Sequence, residues 1–336
     1  MKRIKDVDYL YATARLRALE REMLSARDFQ KMVDAATLEE SYKTANDVSL
    51  HSSLPATRYE QAIADMLSRS WALVSELTGN SPALDVFRIK YDGHNLKTII
   101  KSQALGSDPL PLLSPLGTLA PEALLAAWRE REQKPDLLPG LLKEATLEAA
   151  EALAKTGDPQ KVDVLIDRAV LEGMLSQAKE VDFDFLTDIV RTYIDIENLR
   201  TAVRLKRIGR DVGLFRQLAV EGGKLPLDRL FEAYPAEGFD ALRDVLFVTE
   251  YSGHFAPLLE GLQNPRKPLT EFERGADNYQ VLLLRRSRLV SFGFEPVLSY
   301  LLAKENEGKQ IRIVLASKAA GVEREKISER LRETYA

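Results

Sequence analysis

The stretch DVFRIKYDGHNLKTIIKSQALG, from Asp85 to Gly106, decides the fold because the chain repeats it. It recurs 103 residues later, from Asp188 to Gly209, as DIVRTYIDIENLRTAVRLKRIG. A fainter copy lies 112 residues beyond the second and ends at Gly321. Because self-similarity at a fixed period indicates repeated structural units, we predict three related units in this chain of 336 residues.

A stripe of polar side chains runs along each copy. Steps of three, four and three residues place these side chains on one face of an α-helix. The stripe consists of Asp85, Arg88, Asp92 and Asn95 in the first copy, Asp188, Arg191, Asp195 and Asn198 in the second, and Glu307 and Gln310 in the third. Each copy closes at a glycine, which readily takes the left-handed conformation that ends a helix. We therefore predict a long helix in each copy.

The stripe allows a structural and a chemical interpretation. Charged and amide groups three or four residues apart commonly support one another on a helix. The same carboxylates, Asp92 and Asp195, could instead hold magnesium in a helical carboxylate-metal enzyme. The third copy has Gln310 in place of asparagine and Tyr300 opposite Asp188. A site that changes so freely between copies favours the structural interpretation, with the enzyme and a generic helical scaffold as alternatives.

Composition excludes several classes of function. The chain has no cysteine and three histidines, and none of these histidines has another at metal-ligand spacing. Its 47 basic and 51 acidic residues give a net charge of −4, unlike the basic footprint of a nucleic-acid-binding protein. The turn Gly222-Gly223-Lys224 continues into Leu225, which cannot bind magnesium as a phosphate-binding loop requires. We predict no catalytic residue, no cofactor or metal, and no nucleic acid partner.

The chain shows no apolar run of about 18 residues and no signal peptide, so we predict a cytosolic protein without direct membrane insertion. Nearly every segment has the helical period of 3.6, including IRIVLAS from Ile311, and the predicted class is all-α. The proline-rich segment 107–121 marks the clearest boundary. We predict three helical domains, 1–107, 108–210 and 211–336.

Longer motifs resemble a known family. They are YDGHNLKTIIKSQALG from Tyr91, LGTLAPE from Leu116, YIDIENLRTAVRLKRIG from Tyr193, the Gly222-Gly223 turn, and FGFEPVLSYLLAKENEGKQIRIVLASKAAG from Phe292. In order and spacing these motifs are similar to the C subunit of the prokaryotic V-type (A-type) ATP synthase, whose eukaryotic relative is the d subunit of the vacuolar ATPase. The similarity covers essentially the whole chain.

This resemblance implies a funnel-like protein of three similar domains around a pseudo-threefold axis. It also implies a non-catalytic socket in the central rotor, which links the central-stalk subunits to the membrane rotor (proteolipid) ring and transmits torque for ATP-coupled proton or sodium transport. The chain would then lie in the cytoplasm, peripheral to the membrane through the complex. The family has no catalytic residues that could be carried over to this sequence.

Overall fold

The computed structural model describes residues 4–264 and 268–336, and within these ranges it contains helices and turns but no β-strand. The prediction of an all-α protein is therefore confirmed. The α-helices are α1 Leu10–Leu19, α2 Ala26–Asp34, α3 Leu38–Ala45, α4 Tyr59–Leu77, α5 Pro82–Leu105, α6 Pro121–Glu130, α7 Lys143–Thr156, α8 Pro159–Val181, α9 Asp184–Arg207, α10 Val212–Leu218, α11 Leu227–Ala233, α12 Asp240–Leu246, α13 Ser252–Gly261, α14 Thr270–Arg286, α15 Phe294–Ala319 and α16 Arg324–Arg330.

The three copies of the repeat form the three longest helices, α5, α9 and α15, which we call the signature helices. All three end in the same way. Gly106, Gly209 and Gly321 have φ of 66°, 69° and 68°, in the left-handed region that favours glycine. The next N–H then bonds back across the turn at 2.9 Å, from Ser107 to Ser102, from Arg210 to Leu205 and from Val322 to Ser317. The third copy, although weak in sequence, therefore ends its helix with the same geometry as the other two.

The described chain separates into two compact units. The first contains residues 81–205 and 209–225, and in it α5 packs against α7 and α8. The second contains residues 4–80, 206–208 and 226–336, apart from 265–267, and is built around α15, which packs against α1, α2, α3, α4, α14 and α16. This grouping follows contacts between residues, whereas the three domains 1–107, 108–210 and 211–336 rest on the sequence repeat and stay a prediction.

Glycine inside two signature helices permits close helix packing. A Cβ at Gly93 would stand 2.4 Å from Val170 Cγ2 on α8, and a Cβ at Gly308 would stand 3.2 Å from Ile63 Cγ2 on α4. The second copy has Ile196 at this position, fully buried. Glycine therefore avoids overlap with Val170 in the first copy and allows close contact with Ile63 in the third, and the repeat itself does not require it.

We expect Gly93→Ala to lower the free energy of unfolding, although alanine favours a helix over glycine by about 1 kcal/mol. The added methyl group would overlap Val170, and such overpacking costs about 1–3 kcal/mol. Urea unfolding measures the net change. The control is Gly253→Ala in α13, where no atom lies within 4 Å of the new methyl group and stability should be unchanged or higher. A Gly93→Ala protein as stable as the control would contradict this account of the packing.

Candidate functional site

The asparagines of the stripe are clamped to the backbone of the loop that follows each helix. Asn95 donates from Nδ2 to the Ser114 carbonyl at 2.9 Å, and its Oδ1 accepts the Ser114 N–H at 2.7 Å. Asn198 makes the same pair of bonds with Val220, at 2.8 and 2.9 Å. Both asparagines are at most 2% exposed. Since an amide offers a donor and an acceptor side by side, it satisfies both the backbone N–H and the carbonyl of one residue.

The aspartates of the stripe bind the same loops a few residues further on. Asp92 accepts the N–H of Thr118 at 2.9 Å and its hydroxyl at 2.6 Å, and Asp195 accepts the N–H groups of Lys224 and Leu225 at 2.8 and 3.0 Å. Both carboxylates are buried. Burial raises the pKa of Asp92 above its ordinary 3.8, against the hydrogen bonds from Thr118 that lower it. These carboxylates are used as acceptors for backbone N–H groups.

Glycine is required where the loop meets the carboxylate. A Cβ at Gly117 would stand 2.3 Å from Asp92 Oδ1, and a Cβ at Gly223 would stand 2.0 Å from Asp195 Oδ1. Such distances are far inside van der Waals contact, so any other residue would force the aspartate side chain or the loop to move. Because the aspartate side chain is short, the loop backbone that it binds lies close to the helix. Glycine at positions 117 and 223 leaves room for the carboxylate.

The outer members of the stripe complete the attachment. Arg88 and Arg191 donate to the carbonyls of Gly117 and Gly223, at 3.3 and 2.9 Å. Asp85 lies 3.5 Å from Arg88 Nε, and Asp188 lies 2.6 Å from Lys224 Nζ. The eight predicted residues of the first two copies therefore meet in two similar clusters, each fastening one loop to one helix.

In the third copy the amide and the carboxylate hold two different segments, one near each end of the chain. Gln310 donates to the Glu333 carbonyl at 3.0 Å and accepts the Arg332 N–H at 3.1 Å, so the carboxyl-terminal segment takes the place of the clamped loop. Glu307 accepts the Leu24 N–H at 2.5 Å and the Ser49 hydroxyl at 2.8 Å, and Lys304 donates to it at 2.8 Å. All ten predicted residues thus attach backbone or neighbouring side chains.

Leu24 is the counterpart of Leu119 and Leu225. Each of the three leucines stands two residues before a helix, namely α2, α6 and α11. Sequence reasoning singled out the LGTLAPE motif and the Gly222-Gly223 turn, which belong to the second and third of these segments, and missed the first. The signal was present, because Leu24 and Phe29 have the spacing of Leu119 and Leu124 and of Leu225 and Leu230. It was obscured because Glu22 stands where the other segments have glycine.

A second attachment holds the far end of each short helix. Lys318, three residues before Gly321, donates to the carbonyls of Val33 and Ala35 at the end of α2, both at 2.6 Å. Lys206, three residues before Gly209, donates to the Tyr234 and Ala236 carbonyls after α11, both at 2.5 Å. Burial lowers the pKa of both lysines. In the first copy Gln103 accepts the Trp128 indole N–H at 2.8 Å instead. Sequence reasoning did not find these residues.

The clusters offer little to a divalent metal. Within residues 4–264 and 268–336, no group of three or more histidine, aspartate or glutamate side chains is placed to hold a metal ion. Asp92 and Asp195 each accept at least two hydrogen bonds from their loops and lie 103 residues apart in separate clusters. The arrangement positions loops on helices, and the structural interpretation of the stripe stays a prediction.

The chain matches the model of the ATP synthase (C/AC39) subunit family over residues 12–330. It is 24% identical to the C subunit of the V-type sodium ATPase of Enterococcus hirae, covering 95% of this chain and 97% of that relative. It is 25% identical to the C subunit of the V-type ATP synthase of Thermus thermophilus, covering 96% and 98%. It is also 25% identical to the C subunit of the A-type ATP synthase of Thermococcus gammatolerans, covering 99% and 92%. The match therefore spans nearly the whole chain.

We expect Asn198→Ala to reduce the free energy of unfolding by about 1–3 kcal/mol, because the buried N–H and carbonyl of Val220 lose their partners. Thermal and urea unfolding measure the loss. Gln61→Ala is the control, since Gln61 is exposed and bonds only to Asp65 on the same helix; its effect should lie within about 0.5 kcal/mol. An unchanged melting curve for Asn198→Ala would exclude a stabilising role for the clamp.

The raised pKa of Asp92 predicts a pH dependence of stability. The folded state holds the Asp92 proton more tightly than the unfolded chain, so wild-type stability should fall as pH rises from about 3.8 through the raised pKa. Asp92→Asn cannot titrate, and the stability of this variant relative to wild type should increase over that range. Urea unfolding between about pH 3 and 7 tests this expectation.

Asp28→Asn provides a control of opposite sign. The Ser25 hydroxyl lowers the pKa of Asp28, so wild type should lose stability relative to this variant only as the pH falls below about 3.8. If the Asp92→Asn difference did not change with pH, Asp92 would not carry a raised pKa in the folded protein.

Proposed function

The chain belongs to the ATP synthase (C/AC39) subunit family, a family of structural rather than catalytic subunits, and we propose that it is the socket in the central rotor of a V-type ATPase. In this role it links the central-stalk subunits to the membrane rotor ring and transmits torque.

The observation that carries the proposal is the order in which the clamps connect the repeat. The first signature helix holds residues 114–118, at the start of the second sequence unit, and the second holds residues 220–225, at the start of the third. The third signature helix holds Leu24, near the start of the first. The attachments therefore follow a cyclic order, which supports our proposal of three similar domains related by a pseudo-threefold axis.

The physical character of the clamps suits a part that transmits torque. Each consists of short, directional hydrogen bonds from a buried acid or amide to loop backbone. Breaking one leaves polar groups unpaired, at a cost of about 1–3 kcal/mol where they are buried. A loop held in this way cannot slide along its helix in small steps. A protein that transmits torque needs loops and helices that keep their relative positions under load.

The proposed position is the cytoplasmic side of the membrane, peripheral to it through the complex. None of the described helices is long and apolar enough to cross a membrane. We propose that contact with the membrane is made through the proteolipid ring. The mixed surface charge, 47 basic and 51 acidic residues, supports docking through polar contacts with the ring and the stalk.

We expect the protein to float with liposomes that contain the reconstituted proteolipid ring and not with bare liposomes of the same lipids. Binding should weaken along a salt series, since the screening length falls to about 3 Å at 1 M ionic strength. A ring-free preparation with an unrelated membrane protein is the matched control. Failure to bind the ring at low salt, or salt-resistant binding to bare lipid, would overturn the proposed role.

A further inference from the structure

A cavity of about 660 Å³ lies in the first compact unit, where the carboxyl end of α5 meets α6, the end of α7 and the start of α8. Its larger apolar side chains are Ile100, Leu105, Trp128 and Leu153, and three alanines leave the space between them. Leu105 is 81% exposed, so part of this apolar lining is open to solvent. The volume is within the range of about 300–1,000 Å³ that is typical of small-molecule sites.

The cavity lies beside a short side chain at a position where the second copy has a long one. Ala104 corresponds to Arg207 in the repeat. In the second copy the Arg207 guanidinium lies 5.8 Å from the centroid of the Phe239 ring and donates to the Leu262 carbonyl at 3.4 Å. A cavity at the end of a signature helix is therefore not a requirement of the repeat. Exposed apolar surface of this kind commonly marks a site of binding.

One positive charge at the cavity is held in place and has no acidic partner. Arg131 lines the cavity, with Cζ 3.9 Å from the centroid of the Trp128 ring, and donates to the Trp128 carbonyl at 2.8 Å. In the described part of the chain no carboxylate forms an ion pair with Arg131. Lys101, the other basic residue of the lining, is paired with Asp163 at 2.6 Å. Because a guanidinium has five N–H groups, Arg131 keeps donors for a ligand.

Trp128 makes this part of the cavity rigid. It is 4% exposed, and its indole N–H donates to Gln103 Oε1 at 2.8 Å. The same ring supports the Arg131 guanidinium, so the apolar wall and the positive charge keep a fixed relation to each other. A site that is ordered before binding loses little conformational freedom when a ligand enters. The described residues that line the cavity include two basic side chains and no acidic one.

We propose that this cavity binds a small amphipathic carboxylate of the medium-chain fatty acid class. The apolar chain would lie against Ile100, Leu105 and Leu153, and the carboxylate would pair with Arg131. A guanidinium is suited to this role because it can donate two parallel hydrogen bonds to one carboxylate. Charge complementarity favours an acid over an alcohol or an amine with the same chain, since the lining is basic.

The fluorescence of Trp128 measures binding, because the chain has only two tryptophans. In a Trp71→Phe protein, decanoate should change the emission of Trp128 in a saturable manner. Decanol and decyltrimethylammonium chloride, at equal ionic strength and below micelle-forming concentrations, should bind about tenfold more weakly or less. Calorimetry on the wild-type protein measures the same affinities without the substitution. Equal binding of all three compounds, or no binding of decanoate, would overturn the proposal.

Arg131→Gln tests the charge. We expect this variant to bind decanoate about tenfold more weakly than wild type and to bind decanol as wild type does, because only the carboxylate needs the guanidinium. Arg129→Gln is the matched control, since Arg129 is an exposed residue of the same helix and does not line the cavity. An unchanged affinity of Arg131→Gln for decanoate would refute the assignment of the carboxylate.

Ala104→Phe tests the location by filling the cavity. Ala104 is exposed, so the ring can enter the cavity without displacing the core, and decanoate binding should be lost. Ala126→Phe, an equal change at an exposed position of α6 outside the cavity, should leave binding intact. Melting curves verify that both variants are folded. Decanoate binding that survives in Ala104→Phe would place the ligand elsewhere and contradict the proposal.

Association with the rest of the ATPase complex distinguishes a protein segment from a small ligand. If decanoate failed to bind and Ala104→Phe weakened this association, the cavity would belong to a partner protein and the proposal would be wrong. The binding measurements use the isolated full chain, so their outcome is independent of the proposed role as a socket.

Discussion

A buried carboxylate must receive hydrogen bonds, and in this protein it receives them from the backbone of a neighbouring loop. Asp92, Asp195 and Glu307 lie within long helices, where their own backbone groups are already paired. Each accepts N–H groups of a segment that has left regular structure and would otherwise be unpaired. The same hydrogen bonds thus satisfy the buried carboxylate and the loop backbone, and they fix the position of each loop.

The length of the acid determines what the loop can contain. Aspartate is short, so the loop lies close to the helix, and a Cβ at Gly117 or Gly223 would overlap the carboxylate. In the third copy the acid is Glu307, one methylene longer, and the segment it holds has Glu22 at the equivalent position. The amide changes in the same direction: Gln310 is longer than asparagine and reaches the Arg332–Glu333 backbone, near the end of the chain. The third copy thus differs from the first two in its acid, in its amide and in the segments that these side chains bind.

The polar stripe contributes to function through the positions it fixes. Chemistry at Asp92 or Asp195 would need carboxylate oxygens free to meet a substrate or metal, whereas these oxygens accept hydrogen bonds from their loops. A family of structural subunits needs residues that hold helices and loops in one arrangement.

The sequence by itself determined the all-α class, the three signature helices and their ends, because helical periodicity and terminal glycines act over a few residues and are visible in the chain. It also favoured a structural interpretation of the stripe, through the freedom with which its third copy varies, and that interpretation stays a prediction. Only the tertiary structure decided which segments the stripe holds. Leu24 lies 283 residues from Glu307, and the N–H group it offers is common to nearly every residue. Bonds to the backbone leave little trace in the sequence, except where a close approach demands glycine, as at Gly117 and Gly223.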